Sequence, residues 1–209
     1  MAVRLSVHPE NPQGRHINRA AEVLSRGGVV VYPTDTVYGL GCDITNKKAI
    51  EKITAIKGRD PKKPMSFVCS DLQHISRYAR VSNFAYRILK RFLPGPYTFV
   101  LEATRETPKI LLTKQKTVGI RIPDNKVSLE LVAALGNPII STSANLSNDE
   151  PIGNPDDLAK ILGPRVDIIL DSGVLAQTPS TVVSLVNDSV NILREGAGMA
   201  DYFKELMES

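Results

Sequence analysis

The chain has 209 residues, 42% of them hydrophobic and 5% aromatic, and its formal net charge at pH 7 is +4. This length can bury one substantial core, so we expect one domain over residues 1–209. The sequence has no run of eighteen apolar residues and no apolar segment at its start, which argues against membrane insertion and secretion and indicates a cytoplasmic protein.

Helical and extended apolar patterns alternate along the chain. A helical stripe over residues 17–24 ends at Gly27, and the run Val29 to Tyr32 that follows, which begins with three β-branched valines, predicts a buried strand. The next stripe has Thr45 or Asn46 as its N-cap and ends at Lys57. Further strands are predicted at 66–69, 98–102, 117–122, 138–141, 167–170, 181–185 and 190–194. Further helices are predicted around 84–92, 129–135, from 154 onward and at 202–206.

This alternation predicts a single three-layer α/β domain, with helices flanking a twisted sheet of mixed parallel and antiparallel strands. Two connections are short enough for antiparallel pairing. They join strand 98–102 to strand 117–122, and strand 181–185 to strand 190–194.

Cysteine and histidine give no sign of a protein metal site. Cys42 and Cys69 lie in separate apolar runs, which predicts two buried reduced thiols. His8, His16 and His74 have neither the spacing nor the cysteine neighbours of a zinc site. We therefore assign no metal ligands among the side chains.

Two kinds of polar segment suggest a site for phosphates. Hydroxyl side chains follow two predicted strands, in segments 33–39 and 141–145, where a crevice is expected beyond the strand ends. The second kind is basic: segment 47–63 has seven Lys or Arg residues and two acidic ones, and includes Lys57-Gly58-Arg59. A solvated helix face and ordinary turn-forming hydroxyls are the alternative explanations.

Taken together, the motifs resemble the YrdC/Sua5/YciO family over about residues 10–196. They occur in the family's order: Tyr32-Pro33-Thr34-Asp35-Thr36-Val37-Tyr38-Gly39-Leu40, Lys57-Gly58-Arg59, Pro94-Gly95-Pro96-Tyr97-Thr98, Gly119-Ile120-Arg121-Ile122-Pro123, Ser141-Thr142-Ser143-Ala144-Asn145 and Pro179-Ser180-Thr181-Val182-Val183. Segments 8–13 and 64–71 are most similar to the YciO branch. The resemblance implies a YrdC/RibB-like fold, without the separate C-terminal domain of Sua5 proteins.

The resemblance also implies an activity, that of an L-threonylcarbamoyladenylate synthase. Such an enzyme makes threonylcarbamoyl-AMP and pyrophosphate from L-threonine, bicarbonate and ATP, with Mg²⁺ accompanying the ATP. The product serves N6-threonylcarbamoyladenosine formation at tRNA position 37 through a downstream threonylcarbamoyl transferase complex. A carbamate that attacks the α-phosphate needs no protein nucleophile, so catalysis would consist of positioning and charge neutralisation.

Site residues follow from the resemblance position by position. ATP would contact Lys57, Arg59, Lys63, Thr117, Ser143, Asn145 and Arg194. Among these, the catalytic set would be Lys57, Arg59, Ser143 and Asn145. Threonine would contact Thr36, Arg121, Ser141 and Ser180, with Arg121 pairing with its carboxylate.

Several alternatives remain at the level of sequence. Arg121 in a buried strand needs an anionic partner, which is either a substrate or a structural carboxylate. Asp35 would either support magnesium through water or cap a turn. For the whole chain, the alternatives are a module that binds double-stranded RNA or tRNA without synthesis, and a YciO-type paralogue with a related hydrolase or regulatory role.

Overall fold

The computed structural model of the protein describes residues 1–58, 65–112, 115–146 and 149–208. Within these ranges the strands are β1 (Val3–Ser6), β2 (Val30–Tyr32), β3 (Gly39–Asp43), β4 (Ser66–Val68), β5 (Tyr97–Glu102), β6 (Thr117–Arg121), β7 (Ile139–Ser143), β8 (Ile168–Asp171), β9 (Thr181–Ser184) and β10 (Asn191–Arg194). The α-helices are α1 (Gly14–Ser25), α2 (Lys47–Lys57), α3 (Leu72–Tyr78), α4 (Asn83–Phe92), α5 (Lys126–Leu135), α6 (Pro155–Ile161) and α7 (Asp201–Glu208).

All of these strands belong to one open sheet in the order β1-β8-β2-β3-β7-β4-β6-β5-β9-β10. The pairs β1/β8, β2/β8, β4/β6 and β5/β9 are parallel, and the pairs β2/β3, β3/β7, β4/β7, β5/β6 and β9/β10 are antiparallel. The predicted mixed sheet is confirmed, and so are the two antiparallel pairs expected from short connections, β5/β6 and β9/β10.

Side chains that alternate along the strands build a separate core on each face of the sheet. On one face, Val30, Ile139 and Ile168 pack with α1 and α5. Their neighbours Val31, Ile140 and Ile169 belong to the core of the opposite face, which contains residues of α2, α3, α4, α6 and α7. Because successive residues of a strand point to opposite faces, this pattern gives the predicted arrangement of helices on both sides of the sheet. The side that carries α1 and α5 is called the α1/α5 face below.

Helix α2 begins and ends where the sequence predicts. The Asn46 side chain accepts a hydrogen bond from the Ala49 amide at 3.0 Å, which identifies Asn46 as the N-cap. Gly58 ends the helix in the left-handed region, with φ of +56°, a conformation in which glycine has no Cβ clash. This end places Lys57 beside the carboxyl end of β7.

Three elements were absent from the sequence prediction, namely β1, β3 and α3. Strand β3 has the sequence GLGCD, and its two glycines hide it because glycine is depleted in strands. Strand β1 is an edge strand with three of its four residues exposed, so it lacks a continuous apolar run. Helix α3 has seven residues, too few to show a clear helical stripe.

Two further expectations concern single side chains and membranes. Cys42 and Cys69 are both buried free thiols, as predicted, and burial raises the pKa of Cys42 to about 12 and raises that of Cys69 as well. In the part of the chain that the structure describes, no helix has the length and apolar character needed to cross a membrane.

Candidate active site

A cleft of about 780 Å³ lies on the α1/α5 face, over the part of the sheet that those helices leave uncovered. Its floor consists of every second residue of neighbouring strands, which are Ser141 and Ser143 of β7, Ser66 and Val68 of β4, Thr117, Gly119 and Arg121 of β6, Thr98 and Val100 of β5, and Val182 of β9. Many of these side chains are hydroxyls or small groups. The floor of the cleft is therefore rich in polar groups. The volume of the cleft is within the range typical of small-molecule sites, about 300–1,000 Å³.

The position of the cleft differs from the sequence expectation in one respect. The hydroxyl segments after β2 and β7 do line one cavity, through Thr34 and through residues 141–143. The cavity, however, lies over the face of the sheet, whereas a crevice beyond the strand ends was expected. The cause is that α1 and α5 pack over β2, β7 and β8, and leave the face of β6, β5 and β9 open.

Among the described residues that line the cleft, Arg121 is the most buried charged group. Its Nη2 donates to Oγ1 of Thr36 at 2.7 Å and to Oγ1 of Thr34 at 3.4 Å. The same nitrogen forms an ion pair with Oδ1 of Asp35, and both side chains of this pair are only about one-tenth exposed. Segment 34–36 thus folds back from the end of β2 and fixes the guanidinium of β6. Among the alternatives raised by the sequence, a structural carboxylate partner for Arg121 is present, and that partner is Asp35.

A second guanidinium, that of Arg194, lies at the β9 side of the cleft. Its Nη2 and Nε donate to the Ser180 carbonyl at 2.8 Å and 3.1 Å, and Nη2 lies 3.3 Å from Oγ of the same serine. Ser180 in turn shares a hydrogen bond of 2.8 Å with Thr98. Partial burial and, secondarily, the positive charge of Arg121 lower the pKa of Arg194. Two guanidinium groups therefore act on the same cleft, and an anion bound there would relieve their repulsion.

The β7 end of the cleft has a different construction. Ser143 Oγ donates to Oδ1 of Asn145 at 2.7 Å, and the amide of Asn145 donates to the Asp149 carbonyl. Lys57 lies behind this turn with a side chain that is 4% exposed, and its Nζ donates to the carbonyls of Ser143 and Asn145 at 3.0 Å and 2.8 Å. A third bond from Nζ reaches Oδ1 of Asn145. Lys57 consequently holds the turn in place from the side opposite the cleft.

Ser141 lies between these two ends and is tied to the core. The Tyr32 hydroxyl donates to its Oγ at 2.7 Å, and burial raises the pKa of Tyr32 to about 12. Strand β3 passes beside this pair, and a Cβ on Gly39 would lie 2.9 Å from the Tyr32 ring and 3.1 Å from Ser141 Oγ. Glycine at this position lets the ring and the hydroxyl approach the strand closely.

The structure thus brings most of the predicted site residues to one cavity. Those that line it are Thr117, Arg121, Ser141, Ser143, Ser180 and Arg194. Thr36, Lys57 and Asn145 are not part of the lining but form hydrogen bonds with residues that are. Arg59 and Lys63 lie outside the described residues. The substrate roles assigned to all of them stay predictions.

Sequence reasoning missed several groups of the cleft. It considered two roles for Asp35, magnesium support and turn capping. In the structure, the Asp35 carboxylate instead forms the ion pair with Arg121, 86 residues away. It also missed Thr98 as the hydroxyl partner of Ser180, and the apolar part of the lining, which includes Val100, Leu112 and Leu193. The alternation of Thr98 and Val100 on one strand face was the available signal for two of them.

The described residues contain no group of three or more His, Cys, Asp or Glu side chains that could hold a metal ion. Asp35, whose carboxylate contacts the cleft-lining Arg121, is engaged in that ion pair. The side chains described here therefore do not fit a dedicated Mg²⁺ site, and we assign none of them as a ligand.

The model of the Sua5/YciO/YrdC proteins, described as "Telomere recombination", matches residues 22–196. The chain belongs to the Sua5/YciO/YrdC family. An uncharacterized family protein of Haemophilus influenzae is 50% identical over 195 residues, which is 92% of this chain and 94% of the relative. A putative threonylcarbamoyl-AMP synthase of Methanocaldococcus jannaschii is 36% identical, covering 84% of this chain and 82% of the relative.

Two solved structures extend the comparison within the Sua5/YciO/YrdC family. The crystal structure of Escherichia coli YciO has a TM-score of 0.93 and 41% identity, covering 97% of this chain and 100% of that one. The structure of P. abyssi Sua5 complexed with L-threonine has a TM-score of 0.92 and 27% identity. It covers 99% of this chain, which corresponds to 61% of the Sua5 chain. The family thus includes proteins named as synthases and proteins named YciO without a stated activity.

Proposed function

We propose that the cleft makes L-threonylcarbamoyl-AMP and pyrophosphate from L-threonine, bicarbonate and ATP. The observation that carries the proposal is that two guanidinium groups, Arg121 and Arg194, act on one hydroxyl-lined cleft of about 780 Å³. Such a cleft has room for two anionic groups side by side, which is what a reaction between a carbamate and a nucleoside triphosphate requires. Family relatives named threonylcarbamoyl-AMP synthases, and a Sua5 structure with L-threonine, support the choice of substrates.

In this proposal the amino acid occupies the Arg121 end of the cleft. The threonine carboxylate accepts hydrogen bonds from Arg121, and Thr36, Ser141 and Ser180 contribute the surrounding hydroxyls. The amine, once deprotonated, attacks the carbon of bicarbonate, so that the N–C bond of a carbamate forms and a C–O bond breaks with release of water. A carbamate oxygen then attacks the α-phosphate and pyrophosphate leaves, so the protein supplies position and charge and forms no covalent intermediate.

ATP occupies the remainder of the cleft in this proposal. Thr117 and Arg194 contact the nucleotide, and the turn of Ser143 and Asn145 faces the triphosphate, with Arg59 and Lys63 as further cations. Lys57 contributes by holding that turn from behind. Mg²⁺ enters bound to the phosphates of ATP and supplies charge neutralisation there. The product, a reactive mixed anhydride, would pass to a threonylcarbamoyl transferase complex that acts on tRNA.

The test is threonine-dependent release of pyrophosphate from ATP in the presence of Mg²⁺ and bicarbonate. We expect release with L-threonine and little without it, and a loss of release in the Arg121→Gln variant. Arg4→Gln serves as the matched control, because Arg4 forms its ion pairs with Asp156 and Asp171 and does not line the cleft. If ATP binds but L-threonine does not stimulate release, the proposed reaction is wrong. Binding of tRNA without that release would favour an RNA-binding module.

A further inference from the structure

The two arginines of the cleft have different electrostatic surroundings. Arg121 is ion-paired with Asp35, and neither side chain is more than about one-tenth exposed. Within the described ranges, the hydrogen bonds of Arg194 go to the carbonyl and hydroxyl of Ser180, and no carboxylate is paired with it. One end of the cleft therefore has a compensated guanidinium, and the other end has a guanidinium with a full net charge.

The pairing with Asp35 leaves Arg121 able to bind a ligand. The contacts of Arg121 with segment 34–36 all use Nη2, and the residue still lines the cleft. Two atoms of the pair, Nε of Arg121 and Oδ2 of Asp35, are buried and have no hydrogen-bond partner among the residues that the structure describes. The pair is thus joined through one guanidinium nitrogen and one carboxylate oxygen, and Nη1 is not used to hold it. Arg121 keeps directional donors, while the adjacent carboxylate reduces the positive potential that Arg121 exerts in the cleft.

From this we propose that Asp35 is a specificity-determining residue, which fits the Arg121 end to a zwitterionic α-amino acid and disfavours polyphosphate there. This inference rests on the proposed function, because it names the residue that separates the two substrates. A bare guanidinium would attract a polyanion strongly and would repel the ammonium group of an amino acid. A guanidinium beside a carboxylate offers hydrogen bonds to a single carboxylate group without a large positive potential.

The Asp35→Asn variant isolates this effect. Asparagine has nearly the same shape, and its amide oxygen still accepts a hydrogen bond from Arg121, so the guanidinium keeps its position while its charge is no longer compensated. We expect inorganic pyrophosphate to bind about ten to a hundred times more tightly than to the original protein, from one added unit charge in a partly buried site. L-threonine affinity should change much less, since its carboxylate is attracted and its ammonium repelled.

The experiment titrates L-threonine and inorganic pyrophosphate separately by calorimetry, at low and at physiological salt. Asp171→Asn is the matched control, because Asp171 is also a mostly buried carboxylate in an ion pair, with Arg4, and does not line the cleft. In Asp35→Asn the pyrophosphate affinity should rise and depend more steeply on salt, as expected for an added cation. The control should leave both affinities unchanged. A purely structural role for Asp35 would weaken both ligands and leave the salt dependence unchanged.

A second pair of variants tests the inference even if the single variant Asp35→Asn does not fold. In Arg121→Gln the Asp35 carboxylate is left without its counterion, so pyrophosphate should bind more weakly than in the double variant Asp35→Asn/Arg121→Gln. Equal pyrophosphate affinity in these two variants, or an unchanged ratio of the two ligands in Asp35→Asn, overturns the inference. Because these experiments measure binding, they test the inference even if the pyrophosphate-release assay refutes the synthase reaction.

Discussion

Replacing Lys57 with methionine should destabilise the protein, even though sequence motifs place Lys57 among the ligands of ATP. The Lys57 side chain is 4% exposed, and its Nζ donates to two carbonyls and one side-chain oxygen of the turn at Ser143 and Asn145. Methionine preserves the length and the apolar stem, so the substitution removes mainly these charge-assisted bonds. Each such bond contributes ~1.5–3 kcal/mol net, and three from one ammonium are not additive.

We therefore expect a loss of about 3 kcal/mol in the free energy of unfolding, which for a domain of this size lowers Tm by about 6–12 °C. Urea titration and thermal melting both measure it. Lys52→Met is the matched control on the same helix, since the Lys52 side chain is 41% exposed and its ion pair with Asp167 spans 2.9 Å. An exposed pair of this kind contributes ~0–1 kcal/mol. If Lys57→Met costs no more stability than Lys52→Met, the supporting role of Lys57 is refuted.

Three further predictions concern single side chains. Burial raises the pKa of Tyr32 from 10.0 to about 12, so its neutral hydroxyl contributes fully to the free energy of unfolding below pH 10, and this contribution disappears as the pH rises to 12. In urea titrations between pH 10 and 12, the Tyr32→Phe variant should therefore lose about 2–3 kcal/mol less stability than the original protein. Gly39→Ala should lower unfolding free energy by about 1–3 kcal/mol, whereas Gly14→Ala, with nothing within 4 Å of the new Cβ, should not; equal effects would contradict this. Arg194→Gln should weaken ATP binding about tenfold by calorimetry, and unchanged affinity would exclude Arg194 as a phosphate contact.

The fold was largely predictable because its strands and helices have strong local patterns. The run Val29 to Tyr32, three β-branched valines and a tyrosine, is fully buried, and the stripe of Ile50, Ile53 and Ile56 faces the core as its spacing requires. Strand β3 was missed by the sequence prediction because its glycines at 39 and 41 allow the close packing of Tyr32 and Ile139. That is a tertiary requirement that no local pattern reports. Local periodicity thus identified most elements that bury large side chains, and it missed β3, where small residues were needed.

The candidate site was predictable as a set of residue types and much less as a geometry. Hydroxyl segments and cations were identified, and six of the predicted residues line the cleft. The placement of the cleft on the sheet face depends on how much of that face α1 and α5 cover, which is decided by packing. The partner of Arg121 is equally invisible in sequence, because Asp35 reaches it only when the segment after β2 folds back over β6.

Lys57 and Arg121 show why a cation in a motif does not have one fixed role. Both are buried, and both have oxygen partners within the chain. The Lys57 ammonium donates to the backbone carbonyls of Ser143 and Asn145 behind the cleft, so its charge stabilises that turn. Arg121 is held through one nitrogen and still lines the cleft, which a planar group with five donors allows and a single ammonium does not. Arg121→Lys should therefore weaken ligand binding, because the single nitrogen of lysine would have to serve both segment 34–36 and a ligand in the cleft.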